Sequence, residues 1–538
     1  MTAGAAPHPE LTRLTGPGGE FEIVQEDVLG VPMPVFRNRY RHLGALLEDS
    51  AQHGTADYLV TAERRISFTE HLRAVRSVAA ELAERGVRQG DRVAIMAANC
   101  PEWIVTFWAA ASLGAVTAAF NAWWSPREVE WALGHAEPVL LVADAERAER
   151  VPQDATVVRT DEVRDMMSAR PLAPAPDVQV GEDDPAVIVY TSGTTGRSKG
   201  AVHSHRNVLA TVEYHRLQET LAASMTSGPA PRRHLMSMPL FHIASLHNMA
   251  VPRLTTGATI VIHEGSFDPA RVLALVEREQ VTNWTVVPTM ASRLLNHDDF
   301  ASYDLSALRS FSLASAPSSE ALKQRLRAAL PAADSALVDS YGLTESCTGA
   351  TVATPQQLRD HPGTVGSPIP GMHVQVRDVD GTVLPDGTEG EIWIRGAYVM
   401  LGYWGDPEAD SRVFDEQRWM RTGDIGSLVD GRLHLTARRS DLILRGGENV
   451  YPVEVEHCLD EHPGVLETAV LGVDHPDLGQ EVGAVVVTES PDAVDSAELA
   501  EFARERLAYY KVPSQWRVTA ERLPRNATGK VNRKELRL

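Results

Sequence analysis

Residues 190–200, YTSGTTGRSKG, gather three glycines, a run of Ser and Thr hydroxyls and Lys199 into one short segment. Glycine lets backbone N–H groups approach phosphate oxygens, hydroxyls add rotatable donors and a lysine adds a point charge, so the composition suits a polyphosphate. Its spacing is not the G-x-x-x-x-G-K-[ST] of a Walker A loop. A flexible Ser/Gly linker has a similar composition, but linkers rarely sit between a buried strand and a helix. Here an apolar run, VIVY at 187–190, precedes the segment, and a helix-like run from about His203 to Leu217 follows it. Four further segments carry side chains of a useful type: YGLTE at 341–345, RTGD at 421–424, RGGENVYP at 445–452 and PRNATGK at 524–530. Each alone has a plainer reading, as a surface carboxylate, a Gly-Asp turn, a Gly-Gly turn and a solvated lysine in a basic tail.

The elements that must position these residues follow from hydrophobic rhythm. Between about 66 and 340, short apolar runs (RVAIMA at 92–97, VLLVAD at 139–144, VIVY, ATIVIHE at 258–264, WTVVP at 284–288) alternate with longer amphipathic stretches. That alternation predicts β-α units and a doubly wound α/β fold with mostly parallel sheet. Helices are expected to start at Asp268-Pro269, as cap and first position, and after Ser318 as a cap. After about Gly363, Asp-Gly pairs at 380–381, 386–387 and 430–431 signal tight turns and predict a β-rich subdomain over about 363–437. From 441 to 538, a strand at LILRGG, a helix opened by Pro452, a strand at EVGAVVV and a helix at SAELAEFARERLAYY predict a compact α+β domain.

A chain of 538 residues, 43% hydrophobic and 23% charged, has the length for more than one domain. Its net charge of −21 disfavours a broad nucleic-acid or anionic-membrane footprint, so any phosphate site must be local. Cys100, Cys347 and Cys458 are far apart and odd in number, which argues against a disulfide framework, supplies no CxxC metal spacing and fits a reducing cytoplasm. Residues 1–20 are read as a loose lead-in, without the basic start and apolar run of a signal peptide. Trp103 to Phe120 is uncharged for 18 residues, near the lower limit of a membrane span. Its six alanines, Gly114 and the lack of a flanking Lys/Arg cluster favour a buried helix running into a strand, so no transmembrane segment is expected.

Taken together and in order, the five motif segments resemble those of the adenylate-forming superfamily, which includes acyl-CoA synthetases, aryl-CoA ligases, luciferases and peptide-synthetase adenylation domains. The likeness runs from about Leu43 to Val531. It implies a large N-terminal domain (1–437), a hinge at 438–440 and a small mobile C-terminal domain (441–538). It also implies an ATP-dependent acid–CoA ligase that makes acyl-AMP from a fatty or aryl acid, releases pyrophosphate and passes the acyl group to coenzyme A. In that family pattern Thr191, Ser192, Gly193, Thr194, Thr195, Gly196 and Lys199 hold the β- and γ-phosphates. Tyr341 packs on adenine, with Gly342, Asp339, Ser340, Ala314, Ser315 and Ala316 around the nucleotide. Thr344 contacts phosphate and Glu345 helps hold Mg2+. Asp424 accepts from both ribose hydroxyls, a task for an ionised group with two acceptor oxygens, and Arg438 also reaches the ribose. Lys530 bridges the substrate carboxylate and the α-phosphate. Arg445, Gly446, Gly447 and Glu448 line the pantetheine tunnel, where paired glycines let a thin arm pass the backbone. His242, Val287 and Leu343 border the acyl pocket, and Ser440 lies at the hinge about which the C-terminal domain rotates between half-reactions.

The chain departs from the family pattern in several places. Ser440 stands where Lys or Asp is usual, and Asn121-Ala122-Trp123-Trp124 where Asn-Pro and an aromatic are common. Asp339-Ser340 replaces Gln or Asn plus Gly. Ser312-Leu313-Ala314-Ser315-Ala316-Pro317 replaces Ser-Gly-Gly-Ala-Pro, so Ala314 and Ser315 add bulk beside the acyl channel and favour a narrower or shorter acid. No charged residue marks the acyl set, which leaves fatty and aryl acids open. His242 is read equally as a gate to the tunnel or as a core histidine satisfied by a carbonyl. Two other readings compete: transfer of the activated acid to an amine or carrier-protein thiol, or activation of an unusual acid such as nitrite; and an inactive nucleotide-binding regulator, against which Lys199, Glu345, Asp424 and Lys530 argue.

Overall fold

The computed structural model describes residues 9–191, 198–224, 232–314, 318–438, 441, 443–445, 448–475, 478–507, 509–525 and 531–538, with backbone alone at 331, 334, 437, 438, 444, 448, 449, 479 and 534. Two large sheets organise the N-terminal part. The first has seven strands in the order Gly402–Tyr403, Lys199–Ser204, Pro185–Thr191, Val116–Ala119, Arg92–Met96, Leu140–Ala143 and Val157–Arg159. From Pro185–Thr191 onward they are parallel, while Lys199–Ser204 turns back antiparallel and carries Gly402–Tyr403 on its far edge. The second has nine strands, and its centre (Leu337–Gly342, Ser310–Leu313, Asn283–Val286, Arg233–Met236, Thr259–Ile262, Asp57–Val60) is parallel with antiparallel strands at both edges. Apolar runs buried on both faces make such strands, and helices cover them.

The uncharged stretch after residue 102 is no membrane span. It is the C-terminal part of a helix, Pro101–Ser112, in which every residue is buried, and it turns at Gly114 (φ +69) into the strand Val116–Ala119. No helix among the described residues is long and apolar enough to cross a membrane. Asp268 caps the helix Pro269–Arg278, its carboxylate accepting from the Arg271 N–H at 2.9 Å. The next expected cap is displaced by one residue: Ser319, not Ser318, caps Glu320–Ala329. The Ser318 hydroxyl donates to Asp339, a buried charged acceptor, at 2.7 Å.

Beyond residue 363 a four-stranded antiparallel sheet forms from Met372–Arg377, Gly390–Gly396, Met420–Val429 and Arg432–Arg438. Asp430 (φ 48) and Gly431 (φ 74) join the last two with the left-handed pair that a tight hairpin needs. The C-terminal sheet comprises Glu448–Val450, Ile443–Arg445, Gly479–Val487, Glu467–His475 and Gln515–Thr519, covered by helices Pro452–Asp460 and Ser496–Arg504. Its core, including Ile443, Val455, Leu459, Val482 and Leu499, is drawn from C-terminal residues, which is what marks a separate domain.

The helix His205–Ser224 buries a carboxylate that hydrophobic periodicity does not flag. Glu213 is 0% exposed; one oxygen accepts from Arg216 at 2.6 Å and the other meets no described partner. Burial pushes its pKa up to about 7. Because the folded value lies above the unfolded one, the fold favours the protonated acid, and that contribution is lost as pH rises from about 4 through about 7. Glu213→Gln is expected to change stability little near pH 5 and to raise it by roughly 1–3 kcal/mol near pH 8. Urea midpoints at the two pH values check this; an equal effect at both would contradict it.

Candidate active site

Thr191 ends one strand and Lys199 begins the next, and the two face each other across the antiparallel ladder. The expectation of strand, loop and then helix is corrected here, because a second strand, Lys199–Ser204, pairs antiparallel with Pro185–Thr191 before the helix that begins at His205. Ser192, Gly193, Thr194, Thr195 and Gly196 lie outside the described residues. A Cβ at Gly200 would sit 2.7 Å from Ile188 Cγ2, so a side chain there would force its strand neighbour to shift.

The edge strand Gly402–Tyr403 adds a residue that no motif contained. Its pairing, with Leu401 N–H to Val202 and Trp404 N–H to Gly200 at 2.8 Å each, sets Tyr403 beside Lys199. Lys199 Nζ lies 4.8 Å from the centre of the Tyr403 ring, and the Tyr403 hydroxyl donates to Glu345 Oε1 at 2.8 Å. Burial, with Glu345 adjacent, raises the phenol pKa well above its ordinary value, so Tyr403 stays a neutral donor. One tyrosine thus joins Lys199 to Glu345. Thr344 and Glu345 lie in a short 3-10 turn, Thr344–Ser346, and Met400 N–H donates to the Glu345 carbonyl at 2.9 Å. A half-buried carboxylate anchored through one oxygen, next to a threonine hydroxyl, is a hard oxygen donor set of the kind that magnesium takes. Tyr403→Phe is expected to raise the Mg2+ concentration needed for half-maximal adenylation by about tenfold, the scale of a lost hydrogen bond to a charged group. Pyrophosphate exchange at varied Mg2+ measures it, and an unchanged Mg2+ dependence would deny Tyr403 this role.

A second group forms where two sheets meet. Tyr341, 6% exposed at the end of Leu337–Gly342, donates its hydroxyl to Asp424 Oδ2 at 2.8 Å. Asp424, also buried, lies in Met420–Val429 directly opposite Arg438, so the residues expected around a nucleoside converge although they are far apart in sequence. Gly342 sits at a register shift, and a Cβ there would meet the Thr348 carbonyl oxygen at 2.6 Å. Asp339 is buried and spoken for: it accepts from Ser318, and Lys323 Nζ lies 2.9 Å away. Ser340 is half-buried, and Ala314 follows the neighbouring strand, its N–H bonded to the Val286 carbonyl at 3.1 Å. Ser315 and Ala316 are outside the described residues.

Among the residues expected to border the acyl pocket, half-buried His242 packs on Phe241 with ring centres 4.4 Å apart, and Phe241 meets Trp123 edge-on at 5.1 Å. Val287 is buried before the helix Pro288–Leu295, and half-buried Leu343 packs into the cluster that includes Tyr341. The C-terminal domain reaches this side through Arg525, which donates to Thr289 at 2.6 Å and to Glu467 at 2.7 Å. Half-buried Arg445 pairs with Glu448 across a hairpin. Gly446, Gly447, Ser440 and Lys530 lie outside the described residues, and Arg438 and Glu448 are described by backbone alone.

Comparison with known proteins places the chain in a family. Residues 46–404 match the family profile described as AMP-binding enzyme, and residues 454–530 match the AMP-binding enzyme C-terminal domain. A feruloyl-CoA synthase of an Amycolatopsis species is 36% identical over 474 residues, covering 88% of this chain and 93% of that protein. The structure of o-succinylbenzoate CoA synthetase from Bacillus subtilis in complex with its acyl-adenylate intermediate superposes with a TM-score of 0.79 at 30% identity, covering 93% of this chain and 98% of that one. In complex with ATP and magnesium ion, that enzyme gives 0.78 at 29% identity, with 93% and 100% covered.

Proposed function

Since the chain belongs to the AMP-binding enzyme family, matched in both its N-terminal and C-terminal parts, we infer that it is an ATP-dependent, AMP-forming acid–CoA ligase. The observation that carries this reading is the joining of Lys199, Tyr403 and Glu345 at one sheet edge, four residues along the chain from the Tyr341–Asp424 contact. The first group suits a polyphosphate and the second a nucleoside.

In the first half-reaction the acid carboxylate attacks the α-phosphorus and pyrophosphate leaves, so catalysis is mostly charge placement. Lys199 and the loop 191–196 hold the departing phosphates, Tyr341 faces adenine, and Asp424, with Arg438 opposite, takes the ribose. Glu345, beside Thr344, would hold magnesium, which would supply charge neutralisation of the phosphates. Lys530 brings the carboxylate against the α-phosphate. In the second half-reaction the CoA thiol attacks the acyl carbonyl and AMP departs, with Arg445, Gly446, Gly447 and Glu448 along the thiol's path. The C-terminal domain, from 441 onward, turns about 438–440 between the two steps, releasing the Arg525–Thr289 contact. Cytoplasm is the proposed compartment, in keeping with three free cysteines.

An aryl acid is the favoured substrate over a fatty acid. The relatives above are named for ferulic and succinylbenzoic acids, and Phe241, His242 and Trp123 offer ring surfaces on the acyl side. ATP–pyrophosphate exchange over aryl, fatty and amino acids and nitrite, followed by mass detection of products with and without CoA, tests both parts. Exchange driven by an aryl acid and a thioester formed only with CoA is expected. Exchange without thioester would move the acceptor to an amine or carrier thiol, and no exchange with any acid would leave a nucleotide-binding regulator.

A further inference from the structure

Directly behind the Thr344–Glu345 turn, three metal-ligating side chains converge in the interior: His203, His247 and Cys347, each fully buried, with their ligand atoms all within 4.8 Å of one another. Cys347 Sγ is 3.3 Å from His247 Nδ1. A thiol–imidazole hydrogen bond accounts for that one contact and nothing more. His247 Nε2 meets no hydrogen-bond partner among the described residues, and the polar neighbour of the His203 ring is the Thr344 backbone. A neutral imidazole carries one N–H and one acceptor nitrogen, so a buried ring that leaves either without a partner is costly as simple packing.

The backbone that presents these groups is unusual at two of the three places. Cys347 stands in the left-handed region (φ 62), which a residue with a Cβ rarely occupies, immediately after the turn bearing Thr344 and Glu345. His247 lies in a π-helical turn, Leu246–Ala250, a form found mostly at functional positions. His203 is in Lys199–Ser204, four residues past the phosphate-loop lysine. Asn248 already ties two of these elements together, donating to the Cys347 carbonyl at 3.2 Å and accepting from Thr348 Oγ1 at 2.5 Å. Such outer hydrogen bonds orient first ligands in metal sites.

We propose that His203, His247 and Cys347 form a structural site for one thiophilic d10 cation, Zn2+ or Cu+, which clamps the Thr344–Glu345 turn to the strand of Lys199. Two imidazoles and a thiolate are ligands that both ions accept. Bonds of about 2.0 Å to nitrogen and about 2.3 Å to sulfur set ligand atoms roughly 3.4–4 Å apart, so closure needs ring movements of about an ångström. Binding displaces the Cys347 thiol proton to solvent and leaves both histidines neutral. Cu+ with one thiolate is uncharged overall and Zn2+ leaves a net positive charge; the interior favours the former, and metal supply decides between them.

The test uses the full chain, purified without chelator from cultures supplemented with zinc or copper. Elemental analysis should find metal in stoichiometric amount in wild type and in the Cys100→Ser/Cys458→Ser double variant, and none in Cys347→Ser or His203→Asn. Reconstitution of the demetallated protein with Co2+ should give thiolate-to-cobalt charge-transfer absorption, and with Cu+ under anaerobic conditions a luminescent or competition-detected complex; these arms distinguish the two ions. Metal-free wild type that acquires no such signal with Zn2+ competition, Co2+ or Cu+ would overturn the proposal, as would undiminished metal in Cys347→Ser. Should Cys347→Ser fail to fold, the wild-type cobalt spectrum decides alone.

Discussion

Lys530→Ala is expected to slow acyl-adenylate formation by about 10²–10³, the cost of removing a group that stabilises charge developing in the transition state, while thioester formation from preformed acyl-AMP and CoA stays near wild type. The asymmetry follows from chemistry: only the first step brings two anions, carboxylate and α-phosphate, into contact, and only there does an extra cation lower the barrier. Arg525, five residues upstream, makes the placement physically sensible. Its guanidinium fork bonds Glu467 in its own domain and Thr289 at the start of the helix Pro288–Leu295, which holds Arg525 against the N-terminal part. Pyrophosphate exchange reports the first step and single-turnover thioester synthesis from synthetic adenylate reports the second. Equal losses in both would remove Lys530 from this role.

Asp424→Ala should cut kcat/KM for ATP by roughly 10²–10⁴, as two hydrogen bonds from ribose hydroxyls to an ionised carboxylate are worth about 1.5–3 kcal/mol each. Part of that loss comes from Tyr341, whose hydroxyl would be left in a buried place without its acceptor. Tyr341→Phe separates the contributions, because it removes the tyrosine bond while leaving the carboxylate for the ribose; a loss of about tenfold is expected. The 2′-deoxy nucleotide completes the comparison. It should be used poorly by wild type and with no further penalty by Asp424→Ala, and additive losses would mean that Asp424 does not read the sugar.

How much of this was visible in the chain depends on range. The strands at Arg92–Met96 and Thr259–Ile262 and the cap at Asp268 rest on neighbours in sequence, and the residues spell them out. The convergence of Tyr341 with Asp424 was accessible only through family resemblance, since nothing local relates residues 83 apart in sequence. Tyr403 escaped both routes. It lies in no motif segment, its strand is two residues long, and its partner, Lys199–Ser204, was itself read as the approach to a helix. Pairing between distant edges carries no periodicity signal. The Ser318 to Ser319 displacement has the same origin, because a cap preference is a local rule and the Ser318–Asp339 bond joins residues 21 apart in sequence. The His203, His247 and Cys347 cluster likewise has no sequence spacing to announce it.

The two-residue edge strand has a consequence for how the protein fails. It is held to Lys199–Ser204 by a pair of register partners, Ala201 with Tyr403 and Val202 with Gly402, and flanked by two N–H bonds at 2.8 Å. Openings of so short a segment require far less free energy than unfolding the parallel sheet behind it. Under mild heat or denaturant the edge is expected to peel first, withdrawing Tyr403 from Lys199 and Glu345 while the core stays whole, so nucleotide binding should weaken before the fold gives way.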